Sequence, residues 1–171
     1  MALRKQGVYF AFIKASEGSN FLNPLLTVNV NNANSANILV GLYHFYRTGI
    51  DVNAQFQNFA AVLDKTSWNL PPALDIEATQ EAGFTDDIAQ FCKFLEERFH
   101  VKPIVYVGNS AKTEGAQYPL WIPLYSRGRN PPRKEYAFWQ ILDRGHVGQF
   151  SLGVNLFKGN FEQLQALTVR R

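Results

Sequence analysis

Apolar and polar positions along the chain fall into two alternating periods. Val8-Tyr9-Phe10-Ala11-Phe12-Ile13 is a short run of β-forming residues that ends at polar Lys14 and the turn residues Ser16-Glu17-Gly18. Asn23-Pro24 reads as an N-cap followed by proline at the first helical position, although Asn29, Asn31, Asn32 and Asn34 disfavour the helix that would follow. Ile38–Tyr43 is a continuous apolar run of the kind buried parallel strands show. Asp51 then caps a helix whose Val52, Phe56, Phe59, Ala60 and Leu63 share one face. A strand over Ala73–Glu77 follows Pro71-Pro72, and Thr85 opens a helix with Asp86 and Asp87 in its first turn and Ile88, Phe91, Leu95 and Phe99 along one side. Ile104–Val107, Leu120–Ile122 and Ala137–Ile141 complete the strands, and Phe161–Leu167 forms a closing helix.

Strand and helix alternating in this order predict an α/β fold with a mostly parallel sheet and helical crossovers, formed by the whole chain, 1–171, as a single domain. Six or seven strands are visible. A full eightfold β/α barrel uses about 250 residues, and the later strands are joined by loops too short for helices. The expected architecture is therefore an irregular, reduced (β/α) barrel, TIM-barrel-like, with a flat doubly wound sheet as the alternative.

Composition narrows the class. With 46% apolar and 18% charged residues, the chain of 171 is globular rather than disordered. The single cysteine, Cys92, excludes an internal disulfide and sits in an apolar helical stretch. No signal peptide and no membrane span are read, and no cofactor, metal or nucleic-acid partner is expected. The net charge of +3 gives mild affinity for an anionic surface. Arg127, Arg129, Arg133 and Lys134 cluster in a Pro- and Gly-rich loop, either solvated or gripping an anionic polymer.

Asp75 and Glu77 are the candidate chemistry. Residues i and i+2 of a strand point to the same side, roughly 6.5 to 7 Å apart, while Leu74 and Ile76 turn toward the helices. Two carboxylates on an otherwise apolar strand belong at an open cleft, because burying them unpartnered is costly. Like charges this close disfavour double ionisation, so one carboxyl holds its proton near neutrality. Glycosidic cleavage needs that division of labour. An Asp-x-Glu by itself fits a metal site or a surface strand end equally well.

The surrounding segments add specificity. Phe10-Ala11-Phe12-Ile13-Lys14-Ala15-Ser16-Glu17-Gly18, Gly41-Leu42-Tyr43-His44-Phe45, Pro71-Pro72-Ala73-Leu74-Asp75-Ile76-Glu77, Pro103-Ile104-Val105-Tyr106, Leu120-Trp121-Ile122 and Trp139-Gln140 together resemble, in order and spacing, the family-25 glycoside hydrolases, the muramidases of bacteria and their phages. The resemblance implies hydrolysis of the β-1,4 bond between N-acetylmuramic acid and N-acetylglucosamine in cell-wall peptidoglycan, retaining and substrate-assisted. Glu77 would be acid then base, and Asp75 would orient the substrate's acetamido group. Tyr43, Tyr106, Trp121 and Trp139 would line sugar subsites or simply fill the core. His44 would touch substrate or be a hydrogen-bonded structural histidine. Lys14 and Glu17 would bind substrate or pair with each other, and Asn155 joins the substrate-binding set.

Two departures stand against this pattern. The family's Gly-x-Asp-Val-Ser strand precedes its Phe-Ile-Lys motif, whereas here Met1 stands only a few residues upstream, so that strand and its carboxylate are expected to be missing. Its Val-Asp-x-Asn-x-Phe motif aligns with Leu152–Phe157, where Asn155 and Phe157 match but Gly153 replaces the acid. Asn23 also stands where an Asp is common. A missing strand would expose a sheet edge through which two copies could pair. The resemblance places action at the cell wall, after lysis or export by another route. The competing readings are a degenerate relative that binds glycan without cutting it and a chitinase-like hydrolase.

Overall fold

The computed structural model describes residues 2–77, 84–108, 117–126, 129–132 and 135–169. Among them, eight strands form one sheet. In chain order these are β1 (Phe10–Glu17), β2 (Phe21–Leu22), β3 (Leu39–Phe45), β4 (Ala73–Ile76), β5 (Ile104–Val107), β6 (Leu120–Pro123), β7 (Phe138–Val147) and β8 (Phe150–Phe157). Their spatial order is β2-β1-β3-β4-β5-β6-β7-β8; the pairs from β1 through β7 are parallel, and β2 and β8 add antiparallel edges. The described helices are α1 (Ala2–Lys5), α2 (Leu26–Ser35), α3 (Val52–Leu63), α4 (Phe84–Phe99) and α5 (Phe161–Ala166).

Strand alternation sorts the core into two layers. Val40, Leu42, Leu74, Ile76, Val105, Val107, Leu120 and Ile122 face outward into one buried cluster with α2, α3 and α4. Ala73, Ile104, Tyr106, Trp121 and Phe138 face the other way, joined by Phe10, Phe12, Leu39 and Tyr43. That second face is the inside of a curl. Phe12 on β1 stacks on Trp121 of β6 at 4.6 Å between ring centroids and meets Phe138 of β7 edge-on at 5.0 Å. In a flat sheet β1 and β6, four steps apart, would lie about 19 Å from each other. The sheet is therefore a half-barrel filled by aromatic rings, not the flat alternative.

The differences from the sequence reading have local causes. Helix α2 forms despite its four asparagines because Leu26 and Val30 are buried against the sheet. It starts later than Asn23-Pro24 suggests: Asn23 Oδ1 accepts from Leu25 N–H at 3.0 Å and its amide donates to the Lys14 carbonyl at 2.7 Å, a turn ahead of the helix rather than its cap. The Asp51 cap forms as expected, accepting from Ala54 N–H at 2.8 Å. Strand β7 runs past Ile141 to Val147 and turns back through Gly148 (φ +60°) into β8; this hairpin, with β2, raises the strand count to eight. Cys92 on α4 is fully buried, and burial pushes its thiol up to about 12. Of the basic cluster, Arg127, Arg133 and Lys134 lie outside the described residues, as does the side chain of Thr85.

Gly41 lies directly under the Phe12 ring. A Cβ there would sit 2.3 Å from Phe12 Cε1, and that ring is already held by Trp121 and Phe138. Gly41→Ala should lower stability by about 1–3 kcal/mol in chemical denaturation; an unchanged midpoint would contradict the packing described.

Candidate functional site

The inward-facing rows end at the C-terminal mouth of the parallel strands, where barrel enzymes place their chemistry. Along β4 and the residue that follows it, the row rises from Ala73 through Asp75 to Glu77, from fully buried to exposed. Glu77 lines two recesses at once. One, of about 320 Å³, is bounded by Ile76, Tyr106, Gly108, Pro123 and Tyr125 at the ends of β4, β5 and β6. The other, of about 220 Å³, is bounded by Phe45, Tyr46, Arg47 and Thr48 after β3. Following sheet order, the cleft crosses the strand ends with Glu77 in its middle.

Asp75 lies one step deeper and is 8% exposed. Burial, then the charge of Glu77, pushes its carboxyl up to about 7, and Lys14 opposes them. Among the described residues its Oδ1 is the only buried side-chain nitrogen or oxygen without a hydrogen-bond partner. Leaving such an atom unmatched costs on the order of 1–3 kcal/mol. The expectation that one carboxyl of the pair retains its proton therefore attaches to Asp75. The main chain at this level is tied to the next strand, with Tyr46 N–H donating to the Asp75 carbonyl at 2.9 Å.

Around the pair, Tyr43 is held as a neutral phenol, pushed up to about 12 by burial first and then by Asp75, Glu77 and Glu17. Tyr106 donates to Gln140 Oε1 at 2.7 Å, and its phenol is likewise raised, chiefly by burial. Lys14 and Glu17 form an ion pair at 2.5 Å, and Arg47 joins the same carboxylate through Nε at 2.7 Å. These two cations hold Glu17 below its ordinary value, Lys14 first.

The remaining sequence candidates sit deeper. Trp121 is buried beneath Phe12 and Tyr106, its indole N–H donating to Asn155 Oδ1 at 2.8 Å. Trp139 is buried and donates to the Leu124 carbonyl at 2.8 Å. His44 is fully buried, and burial lowers its imidazole to about 4. The neutral ring donates from Nε2 to Gln55 Oε1 at 3.3 Å and accepts at Nδ1 from the Ser16 hydroxyl at 2.9 Å. Six lining residues carried no sequence signal of their own: Tyr46, Arg47, Thr48, Gly108 and Tyr125 lie in irregular segments after strands, and Pro123 ends β6. Among the described residues no group of three or more His, Cys, Asp or Glu could hold a metal ion.

The model of glycosyl hydrolases family 25 matches residues 1–150. An uncharacterized protein of Escherichia coli (strain K12), YegX, is 28% identical over 177 residues, covering 96% of this chain and 65% of YegX. Lysozyme M1 of Streptomyces globisporus is 27% identical over 196 residues, covering 97% of this chain and again 65% of the relative. The chain thus spans somewhat less than two thirds of these relatives' length. Among solved structures, a family 25 glycosyl hydrolase from Bacillus anthracis superposes with a TM-score of 0.83 at 28% identity, over 98% of this chain and 86% of that one.

The raised Asp75 carboxyl has a cost that depends on pH. The folded state binds this proton more tightly than the unfolded chain, whose carboxyl titrates near 3.8. That stabilisation is complete below about pH 4 and is lost as pH rises through about 7. Asp75→Asn removes the buried charge, so at pH 8.5 it should be more stable than the parent by roughly 3–4 kcal/mol, with little difference at pH 4. Thermal melts at the two values check this; a variant less stable at pH 8.5 would overturn it.

Proposed function

The chain belongs to family 25 of the glycosyl hydrolases, and from that membership we propose that it cleaves the glycan of bacterial peptidoglycan, at the β-1,4 bond between N-acetylmuramic acid and N-acetylglucosamine. The observation that carries the reading is the position of Glu77 between two recesses, with the unpartnered Asp75 Oδ1 one step below. A glycan strand laid across the strand ends presents one ring to each recess and its linking oxygen to Glu77.

In the substrate-assisted route, the Glu77 carboxyl gives its proton to the glycosidic oxygen as the C1–O bond breaks. The carbonyl oxygen of the substrate's own acetamido group bonds to C1, forming a cyclic cation. Asp75, ionised, accepts a hydrogen bond from the acetamido N–H and steadies that charge. Glu77, now a carboxylate, takes a proton from water as the water oxygen bonds to C1 and the ring reopens, so configuration is retained. The pair works with one proton between its two members. In the free protein Asp75 is raised to about 7; an N–H donated to its Oδ1 favours the ionised form that the route requires.

Tyr43 and Tyr106 are proposed to contact sugar at the mouth. Trp121, Trp139, His44 and Asn155 support the floor, and Lys14 with Glu17 shapes the rim. Buried tryptophans offer no stacking face, which weakens the reading of a glycan-binding protein that does not cut. Among the described residues no helix is long and apolar enough to cross a membrane, and the proposed place of action is the cell wall.

Purified peptidoglycan should release reducing ends, and Glu77→Gln should reduce that release at least a hundredfold while the protein stays folded. Retained activity in Glu77→Gln, or none in the parent between pH 4 and 8, would overturn the assignment. Because Asp75 gives up its proton near pH 7, kcat/KM should fall as pH rises above about 7. A pH–rate profile that keeps rising to pH 9 would exclude a proton held by this pair.

A further inference from the structure

The two recesses beside Glu77 differ in charge. Besides Glu77, the larger is bounded by Ile76, Tyr106, Gly108, Pro123 and Tyr125, none of them basic, and the smaller contains Arg47, the one basic residue among the described lining of either. We propose that Arg47 forms a subsite for a carboxylate borne by the glycan strand, so that the smaller recess selects an acidic sugar over a neutral one. The proposal rests on the glycan reading above and adds which ring goes to which side.

Three observations support it. First, the backbone of Arg47 is fixed by the buried side chain of Gln55. Gln55 Oε1 accepts from Arg47 N–H at 2.9 Å, and Gln55 Nε2 donates to the Arg47 and Ile50 carbonyls at 2.9 and 3.1 Å. Gln55 is fully buried on α3 and is itself bonded by His44. A buried polar network of this kind is expensive unless fully matched, and here it holds one exposed residue in place at the cleft.

Second, the guanidinium is oriented but not used up. It lies 4.6 Å from the Phe45 ring centroid, and its Nε and Nη2 both engage Glu17 Oε1. Arginine has five donors in a planar fork suited to carboxylates, so this edge-on pair leaves donors for a ligand. The side chain is 53% exposed.

Third, Arg47 has no carboxylate to itself. Lys14 and Arg47 share Glu17, while Glu77 lines the recess from the other side and Asp87 is held by the Tyr46 hydroxyl at 3.1 Å. Within this recess a carboxylate is best placed on the side opposite Glu77, against the Arg47 guanidinium. The source of that carboxylate on peptidoglycan is either the lactyl group of the muramyl sugar or the peptide stem attached through it.

The test measures binding rather than turnover, in the Glu77→Gln protein with and without Arg47→Gln. Three tetrasaccharides serve as probes: muramyl glycan carrying peptide stems, the same glycan stripped to free lactyl carboxylates, and neutral N-acetylglucosamine tetramer. Arg47→Gln should weaken at least one carboxylate-bearing fragment about 10- to 100-fold and leave the neutral tetramer within about twofold; which fragment responds identifies the source. Should Arg47→Gln not fold, Arg47→Lys, which keeps the charge but loses the fork, should weaken the acidic fragments alone, about three- to tenfold. Equal loss on all three probes, or loss on none, overturns the subsite while leaving the glycan reading intact. Failure of the Glu77→Gln protein to bind any of them overturns both.

Discussion

The curl of the sheet is held by aromatic contacts across its inner face, centred on the Phe12 ring laid over Gly41. Where any other residue would present a Cβ, β3 presents bare backbone, and the ring crosses it to reach Trp121 and Phe138 on strands four and five steps away. Those contacts turn a ribbon of parallel strands into a trough. Parallel strands all end on the same side, so curling the sheet brings the ends of β3, β4, β5 and β6 together. The convergence puts Glu77 between two recesses instead of on an open edge.

Filling the trough with rings has an electrostatic effect as well. Asp75 stands directly above an apolar floor, where water cannot support its charge, and the outcome is a carboxyl that titrates near neutrality. The rim answers with opposite charge: Lys14 tempers Asp75, Glu17 holds Lys14 and Arg47 together, and buried Gln55 anchors the segment that carries Arg47. Floor and rim thus act on Asp75 in opposite directions, a balance set by residues distant in sequence.

Much of this could be read from the chain. Continuous apolar runs at Ile38–Tyr43 and Ile104–Val107 gave parallel strands, the face of Val52, Phe56, Phe59 and Leu63 gave α3, and the i, i+2 spacing of Asp75 and Glu77 gave the paired carboxylates. What escaped were features decided by tertiary contacts. Helix α2 is built of poor formers and is held by two buried residues. The β7–β8 hairpin turns on Gly148, whose positive φ shows in no periodicity. Trp121 and Trp139 stay open in the sequence between sugar subsite and core, because sequence cannot tell an aromatic above the floor from one inside it. Tyr125 and Arg47 reach the cleft from irregular segments, where no repeat marks direction.

Cys92 bears on the setting in which this fold can exist. It is the chain's one cysteine, buried on α4 with a thiol that stays protonated well above neutral pH. No cross-link holds the trough closed and no thiolate is presented to an oxidant. Packing alone maintains the curl, so the folded state is indifferent to whether its surroundings are reducing or oxidising.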